Sequence, residues 1–331
     1  MSPDLRRKLI WSLMFGLLIY IGFIFFGDVQ KLAALLNEWP WLWLPLVLGL
    51  TLVNYVGRLL KWQWYLNLLN IPISSYDSGR IFGVGMLMVM TPGKAGEFLK
   101  SYMVKNVSDT PMAVTAPVVL AERITDGIAM LLLASVGLIV FPHPVARTVA
   151  ILSAIAFTVF IGVIQSRSLS MRCLEIGQKL PVINKLAAKL YQFYESSYTI
   201  FRPGNLLISL GIGLISWLSE GLAYFVVLVG FGQPFTMETA LIAIFIFSIS
   251  VVIGAVLATP GGLGGVEGSL QGFSTQLLNM DGSTAIAAAL LIRFCTLWFG
   301  VFIGVVSFFL WPDLLAGSAE AQQSPQAAGG D

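Results

Sequence analysis

Six stretches of this sequence are apolar for long enough to cross a bilayer, and that property restricts the chain to an all-α integral membrane fold. A spanning helix needs about 20 mostly apolar residues, and inside hydrocarbon only helices and closed barrels satisfy their own backbone. The runs are Leu9–Gly27, Trp41–Leu66, Met112–Phe141, Val145–Gln165, Leu206–Gly230 and Thr284–Trp311. Composition agrees. Of 331 residues 57% are hydrophobic and 11% charged, with a mean hydropathy of +0.84, against about 25% charged in an ordinary soluble domain.

Arg6-Arg7-Lys8 precede the first run, which is too long for a signal-peptide core and lacks a small-x-small cleavage site. It reads as a retained signal-anchor helix. Ala316–Asp331 is built of Ala, Gly, Ser and Gln with little else and cannot bury a core. The expected organisation is therefore an N-terminal anchor and loop (1–40), a first unit with a connecting helix (41–165), a basic segment (166–203), a second unit (204–312) and a disordered tail (313–331).

Two further segments are broken. Ile81–Met90 runs into Thr91-Pro92-Gly93-Lys94-Ala95-Gly96, followed by a polar half, Glu97–Lys105. Thr239–Ala258 runs into Thr259-Pro260-Gly261-Gly262-Leu263-Gly264-Gly265, then a weakly apolar stretch to Asn279. Proline removes a backbone donor and glycine loosens the chain, so both breaks interrupt a helix. Charge assigns sides. Arg6, Arg7 and Lys8 place the N-terminus in the cytoplasm, and Arg167, Arg172, Lys179, Lys185, Lys189 and Arg202 place the basic segment there too. Only two crossings then fit between Arg80 and Arg167, so 81–105 must be re-entrant. The reading is six crossings, two re-entrant broken helices and both termini cytoplasmic. Within the basic segment Ile183, Leu186, Leu190 and Phe193 recur at helical spacing, as in an amphipathic helix lying on the inner leaflet.

The halves repeat. Thr-Pro-Gly-x-x-Gly occurs at 91–96 and at 259–264. Ile71-Pro-Ile-Ser74 matches Gln233-Pro-Phe-Thr236, each followed by an acid, Asp77 or Glu238. Fourteen residues before each of those prolines stands an ionisable residue, Arg58 or Glu220; Arg123 follows Thr91 by 32 residues and Arg293 follows Thr259 by 34. Three crossings between the unit starts make the second unit inverted, a plan used by transporters whose broken helices meet near the midplane.

In combination, Pro92-Gly-Lys-Ala-Gly-Glu97 with Lys100, Glu122-Arg-Ile-Thr-Asp126, and Pro260-Gly-Gly-Leu-Gly-Gly265 with Glu267 resemble the flippase-like family. Its type member is the membrane half of lysylphosphatidylglycerol synthase, the multiple peptide resistance factor. The resemblance covers residues 10–312 and implies movement of a lipid between leaflets. The chain stops after the last helix without the soluble transferase domain, so aminoacylation is not expected.

The charged residues stand on their own physics. A charge at a helix centre costs about 2.5–3.5 kcal/mol on insertion scales, so Lys94, Glu97, Lys100, Glu122, Arg123, Asp126, Glu220, Glu267 and Arg293 need partners or a wet cavity. Glu122 and Asp126, four apart, share a helix face, and Arg123 reaches Asp126 three residues on; Lys94 or Arg293 would suit as a basic partner. Free N–H groups at the first break, with Lys94 and Lys100, form a candidate site for a lipid phosphate. The same cluster reads equally as a salt-bridge network that only pins helices together, and the breaks as packing kinks. Arg58 with Lys61, Trp62, Trp64 and Tyr65 reads as an interfacial anchor.

The substrate-binding candidates are therefore Lys94, Glu97, Lys100, Glu122, Arg123, Asp126, Glu267 and Arg293, with Thr91, Pro92, Gly93, Gly96, Thr259, Pro260, Gly261 and Gly264 forming the breaks. The leading expectation is a translocase of an anionic phospholipid or polyprenyl phosphate in the inner or plasma membrane. Alternatives are a secondary transporter of a small polar solute and an accessory subunit of a membrane lipid or glycan enzyme. With one histidine, His143, between two prolines, and two distant cysteines, Cys173 and Cys295, no metal, cofactor or catalytic activity is expected. No Gly-x-x-x-x-Gly-Lys-[Ser/Thr] loop occurs, so transport would draw on an ion gradient or another protein. The expected partners are membrane lipids, with a separate lipid-modifying enzyme or a second copy as further candidates, and no nucleic acid.

Overall fold

Each repeated Pro-x-Ser/Thr motif turns out to be a helix cap. In the computed structural model, Ser74 Oγ accepts from Asp77 N at 3.0 Å to open one helix, and Thr236 Oγ1 accepts from Thr239 N at 3.2 Å to open its counterpart. Such caps satisfy an orphan first-turn N–H, and Asp77 and Glu238 add a favourable negative charge at the positive helix end. The structure describes residues 29–91, 96–140 and 187–315, with Met14, Ile151, Ile155, Thr158, Val159, 161–168 and Met171.

The described residues are helical, with no strand among them. The elements are α1 (Val29–Glu38), α2 (Leu44–Leu68), α3 (Ser75–Leu87), α4 (Leu99–Ser108), α5 (Met112–Val140), α6 (Ala187–Ile200), α7 (Pro203–Gly230), α8 (Met237–Leu257), α9 (Gly265–Leu277), α10 (Gly282–Arg293) and α11 (Phe299–Leu310). A π-helical turn, Phe294–Trp298, joins the last two. Among the described residues, four helical stretches are long and apolar enough to cross a membrane: Trp41–Leu68, Pro203–Gly230, Met237–Leu257 and Gly282–Leu310. Helix α3 spans only about 20 Å at 1.5 Å per residue, short of the roughly 30 Å hydrocarbon core. Its counterpart α8, with 21 residues, is long enough by itself.

Matched elements contact one another reciprocally. Helix α3 packs on α11, as α8 packs on α5; α2 packs on α7, and the turn before the first break touches the second break. Small residues permit the close approaches. A Cβ at Gly57 would fall on Ser216 and one at Gly304 on the backbone of Leu87, in keeping with small residues at helix interfaces in lipid.

Two boundaries differ from the sequence reading. The loop expected before Trp41 is mostly helix α1, because Leu32, Leu35 and Leu36 make an apolar stripe that docks on Ile286 and Ala287 of α10. Residues 313–315, expected to open the disordered tail, are ordered. Pro312–Leu315 is a 3-10 turn, tied by Arg80 to Asp313 at 3.2 Å and by Asn106 Nδ2 donating to the Leu314 carbonyl at 3.1 Å. The described part of the expected amphipathic helix is α6, which packs on α5 and buries Tyr194, Ser197 and Ile200; Ile183 and Leu186 lie outside the described residues. The first apolar run apart from Met14, Cys173, His143 and residues 316–331 also lie outside them.

Candidate functional site

The polar half after the first break carries Glu97 and Lys100, and α5 carries Glu122, Arg123 and Asp126. Glu122 and Asp126 share a face as the i, i+4 spacing requires, yet they take separate partners. Lys100 Nζ donates to Glu122 Oε2, and Lys61 Nζ donates to Asp126 Oδ1 and reaches Thr125 Oγ1 at 3.2 Å. Neither partner is the one the sequence suggested: Arg293 is engaged elsewhere, and Lys94, with Pro92 and Gly93, lies outside the described residues. Arg123 Nη2 stands 3.0 Å from Glu97 Oε2 and 3.7 Å from Asp126 Oδ2. The Lys100 ammonium also lies 4.4 Å from the Trp62 ring centroid and 5.6 Å from that of Phe82, a cation–π setting that offsets part of its desolvation. Its stem crosses Gly85, where a Cβ would sit 2.8 Å from Lys100 Cδ.

The second unit uses its charges differently. Arg293, the last residue of α10, donates from Nε to Glu267 Oε1 at 2.7 Å and from Nη2 to the Gly261 carbonyl at 2.5 Å. The other oxygen of Glu267 accepts from Gly264 N at 2.7 Å, capping α9. One ion pair therefore ties together both sides of the second break. Gly261, Gly262 and Gly264 all have positive φ, 62°, 71° and 83°, backbone that glycine adopts at no steric cost. Each break is also closed by its own threonine. Gly96 N donates to Thr91 Oγ1 at 2.8 Å, and Thr259 Oγ1 donates to the Leu263 carbonyl at 3.0 Å. The breaks meet: Met88 and Met90 cluster with Leu263, Leu297 and Val301, and a Cβ on Gly261 would lie 3.2 Å from Met90 Sδ.

Beside that meeting point lies a cavity of about 750 Å³. Its wall takes Glu97, Lys100, Arg123 and Asp126 from the first unit's break and last helix, and Arg293 with Thr259, Gly261 and Gly262 from the second. Arg58 and Glu220, the residues matched by the repeat, line it as well. Cations and carboxylates face the cavity in similar number, each cation standing against a carboxylate rather than in a bare basic patch. Among the described residues no group of His, Cys, Asp and Glu side chains is placed to hold a metal ion.

The interfacial-anchor reading of Arg58, Lys61, Trp62 and Tyr65 is corrected here. Lys61, Trp62 and Tyr65 are fully buried at 0% exposure, and Arg58 stands 4.0 Å from Asp126 Oδ2 with its guanidinium 5.8 Å from the Trp217 ring centroid. The sequence signal lay in the repeat, which set Arg58 against Glu220; Lys61 is one helical turn farther on the same face. Tyr55, which lines the cavity and donates to the Thr296 carbonyl, had no sequence signal. Its acceptor belongs to the π-helical turn, which leaves carbonyls outside the α-helical ladder.

A family model described as the lysylphosphatidylglycerol synthase TM region matches residues 13–304. A UPF0104 membrane protein of Methanothermobacter thermautotrophicus is 28% identical over 233 residues, 64% of this chain and 66% of that one. This chain therefore covers just under two thirds of that relative's length. A UPF0104 membrane protein of Methanocaldococcus jannaschii is 23% identical over 222 residues, 67% of this chain and 92% of that one. No solved structure matches.

Proposed function

We propose that this chain, which belongs to the family of the lysylphosphatidylglycerol synthase TM region, is a lipid translocase that moves an anionic phospholipid or polyprenyl phosphate between leaflets. The observation that carries the reading is the cavity of about 750 Å³ on which charged side chains from both matched units converge. Charges in hydrocarbon are costly and mark substrate or ion paths when they face a cavity. A headgroup would cross in that cavity while its tails stay in lipid.

In this reading the units are inverted, with six crossings, 81–105 and 239–279 entering from opposite sides, and both termini in the cytoplasm of an inner or plasma membrane. The reciprocal packing of α3 on α11 and of α8 on α5 supports a two-fold relation between the units. The chain carries out no bond-making chemistry, and its energy comes from an ion gradient or another protein.

Proteoliposomes holding a fluorescent anionic lipid test the proposal. Wild-type protein should move the label between leaflets, and Lys94→Ala and Glu122→Gln should flip slowly per folded molecule, beyond any loss of stability from unpairing Lys100. If the substitutions lower only expression or melting temperature, with flipping per folded molecule unchanged, the charges are structural. If wild-type protein moves no anionic lipid under any imposed proton or sodium gradient, the small-solute transporter replaces this reading.

A further inference from the structure

Asp126 is asked to satisfy more cations than it has oxygens in good geometry. Lys61 holds its Oδ1 from behind, on the side away from the cavity. Its Oδ2 faces two guanidiniums at long range, Arg123 at 3.7 Å and Arg58 at 4.0 Å. None of these approaches is a formed hydrogen bond: Asp126 Oδ2, Arg58 Nε and Arg123 Nε are buried without a hydrogen-bond partner, while Arg123 Nη2 stands 3.0 Å from Glu97 Oε2. Both arginines line the cavity, and the Trp217 ring beside Arg58 bounds it too. Guanidinium N–H groups are arranged in a planar fork that fits phosphate oxygens in pairs. Buried donors left unmade are expensive.

We propose that Arg58 and Arg123 form a clamp for one phosphate group, and that Asp126 Oδ2 stands where a phosphate oxygen lies when the clamp is filled. On binding, the phosphate takes the two guanidinium forks, and Asp126 keeps Lys61 as its partner. The empty clamp is then not left as two bare cations, and the filled clamp leaves Asp126 paired with Lys61. The ligand class is a phosphate ester whose remainder extends into the cavity beside Trp217. This deepens the translocation reading and rests on it only for the source of the phosphate, a lipid headgroup rather than a free anion.

The test uses the full chain in detergent, with melting temperature followed against three probes: dihexanoyl phosphatidylglycerol, the phosphate-free dihexanoylglycerol, and inorganic phosphate. Wild-type protein should be stabilised by the phospholipid and not by the neutral lipid. Arg58→Gln should weaken phospholipid binding by about tenfold or more, the loss of a bidentate contact worth about 1.4 kcal/mol. Arg58→Lys should fall between, because a point charge replaces a fork. Asp126→Asn should bind phosphate more tightly although its unliganded melting temperature falls, an opposition that a purely structural network would not produce. If Arg58→Gln does not fold, the Arg58→Lys and Asp126→Asn titrations decide alone. Equal stabilisation by inorganic phosphate, lost in Arg58→Gln, would uphold the clamp and overturn the lipid as its ligand. Phospholipid binding that is indifferent to Arg58 and Asp126 would overturn the clamp and leave the translocation reading standing.

Discussion

Arg293 Nε donates to Glu267 Oε1 at 2.7 Å across 26 residues, and the same guanidinium holds the Gly261 carbonyl. The first unit repeats the spacing with Glu97 and Arg123, which stand 3.0 Å apart. The copies nevertheless differ in their partners. The second pair is locked into backbone on both sides of its break, whereas Arg123 shares its nearest carboxylates with the cavity. The second pair is thus the one tied into the backbone of its break.

That difference sets the first prediction. Removing one partner of a buried ion pair strands the other and costs about 3–5 kcal/mol, so Arg293→Met should lower stability by about that amount. Glu267→Gln combined with Arg293→Met should recover part of it. Unfolding by denaturing detergent, followed by circular dichroism, measures both.

Gly261 has φ 62°, and a Cβ there would meet Leu297 Cδ2 at 3.1 Å and Met90 Sδ at 3.2 Å. Left-handed backbone costs a residue with a Cβ about 1–2 kcal/mol. Gly261→Ala should destabilise by at least that much, and Met90→Ala in the same chain should relieve the steric part only. Melting temperatures of the two single variants and the double variant give the split.

Gly304→Ala should be worse tolerated than a surface change, because the added methyl falls on the backbone nitrogen of Leu87 rather than on a flexible side chain. Helices α3 and α11 must move apart, and overpacking of this kind costs about 1–3 kcal/mol. The thermal unfolding midpoint should fall, and flipping should slow if the α3–α11 contact shapes the cavity wall.

Asp281 lies outside the spanning segments, at the N-cap of α10. Its hydrogen bond from Lys31, with further donors from Thr284 and Ser283, holds its carboxyl below the usual value of 3.8. A depressed folded pKa means that the contribution is fully present above 3.8 and disappears as pH falls through the lower folded value. The melting-temperature difference between wild type and Asp281→Ala should therefore be flat from neutral pH down to about pH 5 and shrink below 3.8. High salt should remove the Lys31 part, because both partners are exposed.

Orientation is tested at Lys189, exposed on α6. In a background with Cys173 and Cys295 replaced, Lys189→Cys should resist an impermeant thiol reagent added outside intact cells and react once the membrane is opened. Labelling in intact cells would reverse the assigned sides.

Much of the candidate site's local geometry is legible in the sequence. Thr-Pro-Gly-x-x-Gly marks a break wherever it falls, because proline cannot donate and glycine accepts without steric cost the positive φ found at Gly261 and Gly264. Spacing showed that Glu122, Asp126 and Arg123 share one side of a helix, since 3.6 residues per turn is a local property. The repeat paired Arg58 with Glu220 and Arg123 with Arg293, and all four line one cavity.

Partner choice was decided only in three dimensions. Glu122 takes Lys100 and Asp126 takes Lys61, because α4 and α2 approach α5 from different directions, and no periodicity along one strand of sequence encodes the direction of another helix. Burial of Lys61 and Trp62 was hidden for the same reason. An aromatic and basic cluster near a helix end has one composition whether it meets headgroups or a neighbouring helix. Here the neighbour is α7, which offers Gly213 and Ser216 where larger side chains would hold the helices apart. Sequence fixes the face a residue is on; packing decides what that face meets.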